Sequence, residues 1–168
     1  MTNIIQVVGY KNAGKTTLVE SIVRVLTEAG YAVGTVKHDG HRFDIDHEGT
    51  DTWRHREAGA SMTAVTSADR TVIMEERSSE LDDIIRRMHA MDAIIVEGFK
   101  EADYPKIVLI RSYEDSELVL RLRQVIAVIT WVPELTFPVP TFSIDQTNQL
   151  VAWLQSTLFP VNNKGDRT

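Results

Sequence analysis

Apolar residues along the chain follow two spacings, and the change from one to the other predicts where strands and helices lie. Ile4–Val8 is a short run rich in β-branched residues that stops at Gly9, which predicts a buried strand. From Thr16 onward, apolar residues recur every three or four positions, as on one face of a helix. Gly30 stands where the C-terminal cap of that helix is expected. The chain is therefore predicted to open with a strand, a glycine-containing turn and a helix.

The same patterns divide the rest of the chain into further strands and helices. Continuous apolar runs of four or five residues suit parallel strands that are covered on both faces, whereas amphipathic spacing indicates helices. The further predicted strands are residues 31–36, 62–66, 71–74, 93–96, 107–110 and 125–129. The further predicted helices are residues 51–60, 79–89 and 146–158. Strands separated by helices predict an α/β fold with three layers and a mostly parallel central sheet.

Length and composition narrow the class of protein. A chain of 168 residues fits one domain, which we expect to span residues 1–160 and to be followed by a polar tail at 161–168. The 18 Lys and Arg against 24 Asp and Glu give a net charge of −6, which argues against a nucleic-acid partner. The absence of cysteine excludes disulfides, thiolate zinc sites and iron–sulfur clusters. We expect a cytoplasmic protein without a signal peptide or a membrane span.

The turn between the first strand and the first helix carries the strongest chemical motif. Gly9–Thr16 matches G-x-x-x-x-G-K-[ST] at every fixed position, in the context that a phosphate-binding loop (P-loop) requires. Lys15 is expected to meet the β- and γ-phosphates, Thr16 to bind Mg²⁺ and Thr17 to contact the α-phosphate. The competing interpretation is a glycine-rich turn with an incidental Lys-Thr pair. The predicted nucleotide-binding residues of this loop are Gly9, Lys11, Asn12, Ala13, Gly14, Lys15, Thr16 and Thr17.

A P-loop also needs an acidic group that holds Mg²⁺ or its water ligands. The apolar strand at 93–96 ends in Glu97, and Gly98 allows a close approach to the γ-phosphate. Alone, Glu97 is better explained as a residue that ends a strand at the surface. Beside a P-loop, the metal role is favoured. We therefore predict that Thr16 and Glu97 are the two metal ligands that the chain supplies.

A polar segment at 37–50 is too long for an ordinary connection and is a candidate functional loop. The segment contains a cluster of histidines and carboxylates. Clusters of this kind coordinate a metal or bind a polar ligand in some proteins, although in most solvated loops they bind nothing. The segment is followed by a group of basic residues, Arg54, His55 and Arg56. These side chains either contact an anionic substrate or are ordinary solvated charges on the face of a helix. The clustered side chains are His38, Asp39, His41, Asp44, Asp46 and His47.

With these motifs in order, the sequence resembles the MobB family of molybdopterin-guanine dinucleotide biosynthesis adapter proteins. The resemblance covers roughly the first hundred residues, whereas the last third matches only in its rhythm of strands and helices. It rests on residues 7–18 (VVGYKNAGKTTL), 35–46 (TVKHDGHRFDID), 49–60 (GTDTWRHREAGA) and 94–100 (IIVEGFK).

The resemblance implies a GTP-binding adapter for the attachment of a guanine nucleotide to molybdopterin, which acts beside a MobA-like nucleotidyltransferase. It implies GTP and Mg²⁺ as cofactors, slow GTP hydrolysis at most, and molybdopterin as a further candidate ligand. By position, the cofactor-facing or switch region would comprise His38, Asp39, His41, Asp44, Asp46 and Arg54.

The resemblance also implies a homodimer. In dimerising relatives a second loop lysine reaches the partner's nucleotide, and Lys11 is a candidate for that role, with a simple solvated lysine as the alternative. We further expect enough apolar side chains of the late segment to be exposed for a patch that supports the dimer, with ordinary core packing as the alternative, which is the better interpretation of any single aromatic residue. The members of the patch are Trp131, Val132, Phe137, Val139 and Phe142.

The residues themselves leave the nucleotide and the reaction open. The Asn-Lys-x-Asp element that usually selects guanine is missing, and residues 130–134 offer Glu134 as a possible substitute. A small-metabolite kinase would share the P-loop, with Arg111, Arg121 and Arg123 as lid candidates. A metal-insertion GTPase would use His38 as a ligand, together with His41. A binding module that only holds its nucleotide is the remaining alternative.

Overall fold

The computed structural model describes residues 2–159, in which eight strands and five α-helices follow one another along the chain. The strands are β1 (Asn3–Gly9), β2 (Val33–Lys37), β3 (Met62–Thr66), β4 (Thr71–Glu75), β5 (Ala93–Glu97), β6 (Lys106–Ile110), β7 (Val125–Thr130) and β8 (Thr141–Ser143). The helices are α1 (Lys15–Glu28), α2 (Asp51–Glu57), α3 (Leu81–Arg87), α4 (Ser116–Arg121) and α5 (Thr147–Leu158), with a 3₁₀ turn at Ile144–Gln146.

Contacts divide the chain into two compact units. The first unit contains the residues up to His38 and those from Ile84 onward, and the second is Asp39–Asp83. In the first unit, six parallel strands form a sheet in the order β2-β5-β1-β6-β7-β8. β1 lies between β5 and β6 and runs parallel to both. The loops that follow these three strands therefore emerge at the same edge of the sheet.

Helices cover both faces of this sheet. Ile5 and Val7 of β1 belong to one buried cluster, which α1 and α5 complete with their apolar faces. Val8 points to the opposite face and belongs to a second cluster, which includes Leu118 of α4. Alternate residues of one strand thus reach two cores, as the period of two requires. The predicted three-layer α/β fold with a parallel central sheet is confirmed.

The second unit consists of α2 and the antiparallel hairpin of β3 and β4. The Thr50 side chain caps α2 by accepting a hydrogen bond from the Trp53 amide at 3.2 Å. The hairpin strands follow the residues predicted from their apolar pattern, and among the described residues they pair with each other in a separate two-stranded sheet.

Several elements differ from the sequence prediction. α2 and α3 are shorter than predicted at 51–60 and 79–89. α2 ends at Glu57, and Gly59 has φ +104°, which a right-handed helix cannot contain. Two elements were missed: α4 has six residues and β8 three, too few for a visible period. No helix within residues 2–159 is long and apolar enough to span a membrane. A single nucleotide-binding domain at 1–160 stays a prediction, and the predicted tail at 161–168 lies outside the described residues.

The expected apolar patch in the late segment is wrong for most of its members. Phe137 and Val139 are half-buried and pack against the cluster on the α4 face. Phe142 is half-buried and packs against the opposite cluster, with its ring centroid 6.1 Å from that of Trp153. Trp131 is the large apolar residue of this segment that is well exposed, at 49%. These side chains therefore belong mainly to the core.

Candidate phosphate-binding site

The loop between β1 and α1 lies at the carboxyl edge of the sheet, where ligands of open α/β sheets bind. Its backbone has the special conformations that the motif requires. Gly14 has φ +90°, and Asn12 has φ +61°, which asparagine tolerates better than most residues. A Cβ at Gly9 would lie 3.0 Å from the Leu109 carbonyl oxygen, so a larger residue would crowd the backbone of β6. The two fixed glycines of the motif therefore have structural reasons to be there.

The start of α1 is open to an anion. Within the described chain, its first turn contains no acidic residue and no side chain caps its N-terminal amides. The positive end of the helix dipole and these amides both favour a negatively charged group at this position. The electrostatic field at the start of α1 therefore favours the negative charge of a phosphate group in the neighbouring loop.

Lys15 lies across the loop that precedes it. Its Nζ donates a hydrogen bond to the Tyr10 carbonyl oxygen at 2.7 Å. Burial lowers the pKa of Lys15, the Glu97 charge opposes this effect, and Lys100 and Lys37 add to it. A neighbouring anion would counteract both the desolvation and the repulsion. The environment of Lys15 is therefore that of a cation placed to receive an anionic ligand.

Thr16 and Glu97 meet beside the loop. The Thr16 hydroxyl oxygen lies 3.1 Å from each carboxylate oxygen of Glu97, which is 8% exposed. Lys37 Nζ lies 3.5 Å from the same carboxylate. A hydroxyl and a carboxylate are oxygen ligands of the kind that Mg²⁺ prefers, so the pair fits a site in which phosphate and water oxygens complete the coordination.

Additional cations contact residues of the loop, and of these only Arg111 was named from the sequence, as a lid candidate of the kinase alternative. Lys100 Nζ lies 4.2 Å from the centroid of the Tyr10 ring. The Arg111 guanidinium donates to the Asn12 carbonyl oxygen at 3.1 Å and lies 5.7 Å from the Trp131 ring centroid. Like Lys37, these residues follow or end strands of the parallel sheet. The same strand-end argument that identified Glu97 would have found them.

Comparison with known proteins assigns the chain to a family. Residues 4–131 match the family described as molybdopterin guanine dinucleotide synthesis protein B. The chain belongs to the MobB family. The match includes β1, the P-loop, the polar segment, β5 and β7.

Individual members of the MobB family resemble the chain over most of its length. A probable molybdopterin-guanine dinucleotide biosynthesis adapter protein of Bacillus subtilis is 39% identical over 75% of each chain. The Escherichia coli adapter protein is 35% identical over 92% of this chain and 95% of its own. The crystal structure of Bacillus subtilis MobB superimposes with a TM-score of 0.78 at 36% identity and covers 92% of this chain and 96% of that one.

The predicted residues of the polar segment are divided between the two compact units. His38 belongs to the first unit, where its amide donates to the Glu97 carbonyl oxygen at 2.9 Å. The ring centroid of His38 lies 4.6 Å from that of Phe99. A Cβ built at Gly98 would lie 3.0 Å from the Cβ of His38. His41 belongs to the second unit, where its amide bonds to an Asp39 carboxylate oxygen at 3.1 Å. His38 therefore lies beside the end of β5.

Asp44 and Asp46 are brought together by Arg56 within the second unit. The guanidinium lies 3.0 Å from an Asp44 oxygen, 3.4 Å from an Asp46 oxygen and 2.8 Å from a Glu76 oxygen. The hydrogen bond from Arg56 lowers the pKa of Asp44. Arg54 does not join this network, since it is largely exposed and lies 3.8 Å from Asp51. The two aspartates thus have a structural partner, and their role toward a ligand stays a prediction.

Two further predictions concern metals and the base. Within residues 2–159, no three His, Asp or Glu side chains converge as a metal site, so the alternative with His38 and His41 as ligands gains no support. Glu134, the possible substitute in guanine recognition, accepts a hydrogen bond from the Tyr113 hydroxyl at 3.3 Å. The Glu134 charge raises the pKa of Tyr113. Lys11 and Thr17 are both exposed, as residues that contact a ligand from the loop surface would be.

Proposed function

We propose that this MobB-family protein is a GTP-binding adapter in the synthesis of molybdopterin-guanine dinucleotide. The observation that carries the proposal is the P-loop with Lys15 inside it and with Thr16 paired to Glu97, in a chain whose relatives are named as adapter proteins of this synthesis. The proposal includes GTP and Mg²⁺ as ligands, with Gly9–Thr17 around the triphosphate.

The residues of the loop perform separate tasks in this proposal. Lys15 exchanges the Tyr10 carbonyl oxygen for phosphate oxygens, which are stronger partners because the bond is then between two charges. Thr16 and Glu97 hold Mg²⁺, which neutralises phosphate charge when bound. The backbone amides at the start of α1 contribute further donors to the phosphates. These contacts bind and orient the nucleotide.

Presentation of the nucleotide, rather than fast hydrolysis, is the proposed role. A fast P-loop hydrolase uses a residue that orients the attacking water and an arginine that stabilises the transition state. Lys15, Thr16 and Glu97 are proposed to bind the triphosphate and Mg²⁺, and we assign neither of those two catalytic tasks to a residue of this loop. We therefore propose slow GTP hydrolysis at most, with the guanine nucleotide transferred by a MobA-like nucleotidyltransferase that the adapter assists.

Molybdopterin is the proposed further ligand of the polar segment. Its phosphate and pterin groups suit histidine, arginine and carboxylate side chains, which accept and donate hydrogen bonds to polar rings and anions. Because Arg56 already engages Asp44 and Asp46, these two residues would act by shaping the segment. His41 and Arg54 are the proposed direct contacts within the second unit, and the predicted role of His38, which belongs to the first unit, is kept as a separate prediction.

A homodimer is proposed on a different surface from the one that the sequence suggested. In the second unit, Met62 and Ile73 share the outer face of the hairpin and are 58% and 61% exposed. Phe43 and Ile45 are both 71% exposed, and with Ile73 they line a cavity of about 280 Å³. Exposed apolar residues gathered in this way favour burial against another chain. The proposed occupant is a second copy.

Reconstitution of guanine-nucleotide attachment tests the adapter role. Purified MobA-like nucleotidyltransferase, molybdopterin and Mg²⁺–GTP are incubated with and without the chain, and the dinucleotide product is quantified over time. We expect faster product formation with the wild-type chain and no acceleration with Lys15→Ala. Equal rates with the wild-type chain and with buffer would refute the adapter role while leaving nucleotide binding to be measured directly.

A further inference from the structure

A buried lysine lies beneath the loop that follows β5, outside the proposed nucleotide contacts. Lys106 of β6 is 1% exposed, and its Nζ donates to the Gln6 side-chain oxygen at 2.8 Å, to the Tyr104 carbonyl oxygen at 2.9 Å and to that of Ala102. Burial lowers its pKa, which the charges of Asp103 and Glu101 oppose. Its hydrogen-bond acceptors in the described chain are uncharged. Burying a cation without a paired carboxylate costs free energy, so these hydrogen bonds are needed to stabilise the ammonium group in this position.

Gln6 holds the beginning of the same loop. Its side chain is fully buried in β1, and its Nε2 donates to the carbonyl oxygens of Gly98 at 3.1 Å and Phe99 at 2.7 Å. Gly98 has φ +96° and Phe99 has φ +50°, an unfavourable conformation for a bulky residue. We call Gln6 and Lys106 the buried clamp. Together they bind four backbone carbonyls between residues 98 and 104 and so fix the course of this loop.

The loop held by the buried clamp carries Lys100 to the P-loop. Lys100 Nζ lies 4.2 Å from the centroid of the Tyr10 ring, and Lys15 Nζ donates to the carbonyl oxygen of the same tyrosine at 2.7 Å. The ammonium groups of Lys100 and Lys15 thus both contact Tyr10, a residue of the phosphate loop. Lys37 adds a third cation, and Glu97, 3.5 Å from it, is the carboxylate that faces them. This excess of positive charge favours a polyanion.

We propose that Lys100 is a second phosphate-binding lysine of this site and that Gln6 and Lys106 are positioning residues that hold it there. The inference rests on the proposed nucleotide binding and deepens it. Lys100 contacts the phosphates of the bound nucleotide, whereas the clamp acts through the loop and touches no ligand. The Tyr10 ring keeps the Lys100 ammonium near the P-loop before the nucleotide arrives.

Calorimetric titration with Mg²⁺–GTP tests both parts. Lys100→Gln removes the charge on a half-buried side chain, and we expect the dissociation constant to rise about tenfold, the effect of losing one charge-assisted phosphate contact. Gln6→Glu keeps the acceptor for Lys106 but removes the two donors to residues 98 and 99, so a similar rise is expected. Because Gln6 acts through Lys100, the double variant should bind no more weakly than Lys100→Gln alone.

A matched variant separates positioning from general stability. Val151→Ala creates a small cavity at a buried residue of α5 that belongs to neither the clamp nor the loop it holds, and we expect a lower melting temperature with unchanged GTP affinity. Losses that simply multiply in the Gln6→Glu, Lys100→Gln double variant would overturn the clamp. Gln6→Asn, whose shorter amide no longer reaches the loop, is a milder second variant. If neither Gln6 variant folds, Gln6 serves the stability of the fold and the positioning role is refuted.

The same titrations distinguish failure of GTP binding from failure of the Lys100 contact. A wild-type chain that does not bind GTP would remove the proposed function itself. A wild-type chain that binds GTP and loses it in Lys15→Ala, but keeps full affinity in Lys100→Gln, would overturn this inference alone.

Discussion

The hydroxyl oxygen of Thr16 lies 3.1 Å from both carboxylate oxygens of Glu97, although 81 positions separate the two residues in the sequence. The parallel pairing of β1 with β5 creates this proximity, because α1 begins after the loop that follows β1 and Glu97 is the last residue of β5. The pair supplies two oxygen ligands at the edge of the P-loop. We expect its chemistry to be visible in the metal dependence of nucleotide binding.

Replacing Glu97 by glutamine should weaken the effect of Mg²⁺ on GTP binding. An amide oxygen has no full charge toward the metal, and the loss of a charge-assisted interaction is worth about 1.5–3 kcal/mol, or roughly a tenfold or greater rise in the Mg²⁺ concentration required. The measurement is GTP affinity as a function of Mg²⁺ concentration. Glu20→Gln, an exposed change on α1, is the matched control. Superimposable curves for wild type and Glu97→Gln would place the metal elsewhere.

The wild-type chain should sediment as a homodimer at micromolar concentration. Ile73→Ser should raise the dimer dissociation constant, since Ile73 lies on the exposed apolar face of the hairpin. Leu120→Ser, at a residue that is 82% exposed on α4, is the control and should leave the dimer intact. Sedimentation equilibrium with and without GTP checks both. A monomer mass in both conditions would refute the dimer.

A separate variant tests the lysine that is expected to reach the partner's nucleotide. If Lys11 acts across the dimer, Lys11→Ala should weaken nucleotide-dependent dimerisation but not the fold. A dimer with unchanged nucleotide dependence in this variant would refute the role of Lys11 and leave the dimer itself standing.

The Asp44–Arg56 ion pair should stabilise the protein only above the acidic range. The pKa of Asp44 is lowered from its ordinary value of 3.8 by the hydrogen bond from Arg56, so the folded state binds this proton less readily than the unfolded state. The contribution is complete above pH 3.8 and disappears as the pH falls through the lower folded pKa. The difference in melting temperature between wild type and Asp44→Asn should therefore shrink below that pH. A difference that is constant from neutral to acidic pH would contradict the ion pair.

Local patterns were sufficient to predict the central part of the fold. The β1–loop–α1 unit has a continuous strand, a motif with fixed glycines and an amphipathic helix within about 26 residues, from Asn3 to Glu28. Glu97 was found because a buried strand ends there. The hairpin strands were also located, but their separation from the central sheet depends on tertiary pairing, which a period-two pattern does not reveal.

The parts that the sequence did not reveal depend on long-range register. Gln6 looks like an interruption in an apolar strand, and Lys106 looks like a charge before one. They form a pair because β1 and β6 align Gln6 with Lys106. The expectation of an exposed patch in the late segment failed for a similar reason, since Phe137 and Phe142 lie on no regular period that would assign them to a core.

Calorimetric titration of the wild-type chain and Lys15→Ala with GTP and ATP, in the presence of Mg²⁺, tests the central claim most directly. We predict GTP binding by the wild type, weaker binding of ATP, and at least about a tenfold loss of GTP affinity in Lys15→Ala at an unchanged circular dichroism spectrum. Arg70→Ala, in the exposed turn of the hairpin, is the control and should bind as the wild type does. Equal GTP affinity in the wild type and Lys15→Ala would contradict the assignment of this loop as a nucleotide site.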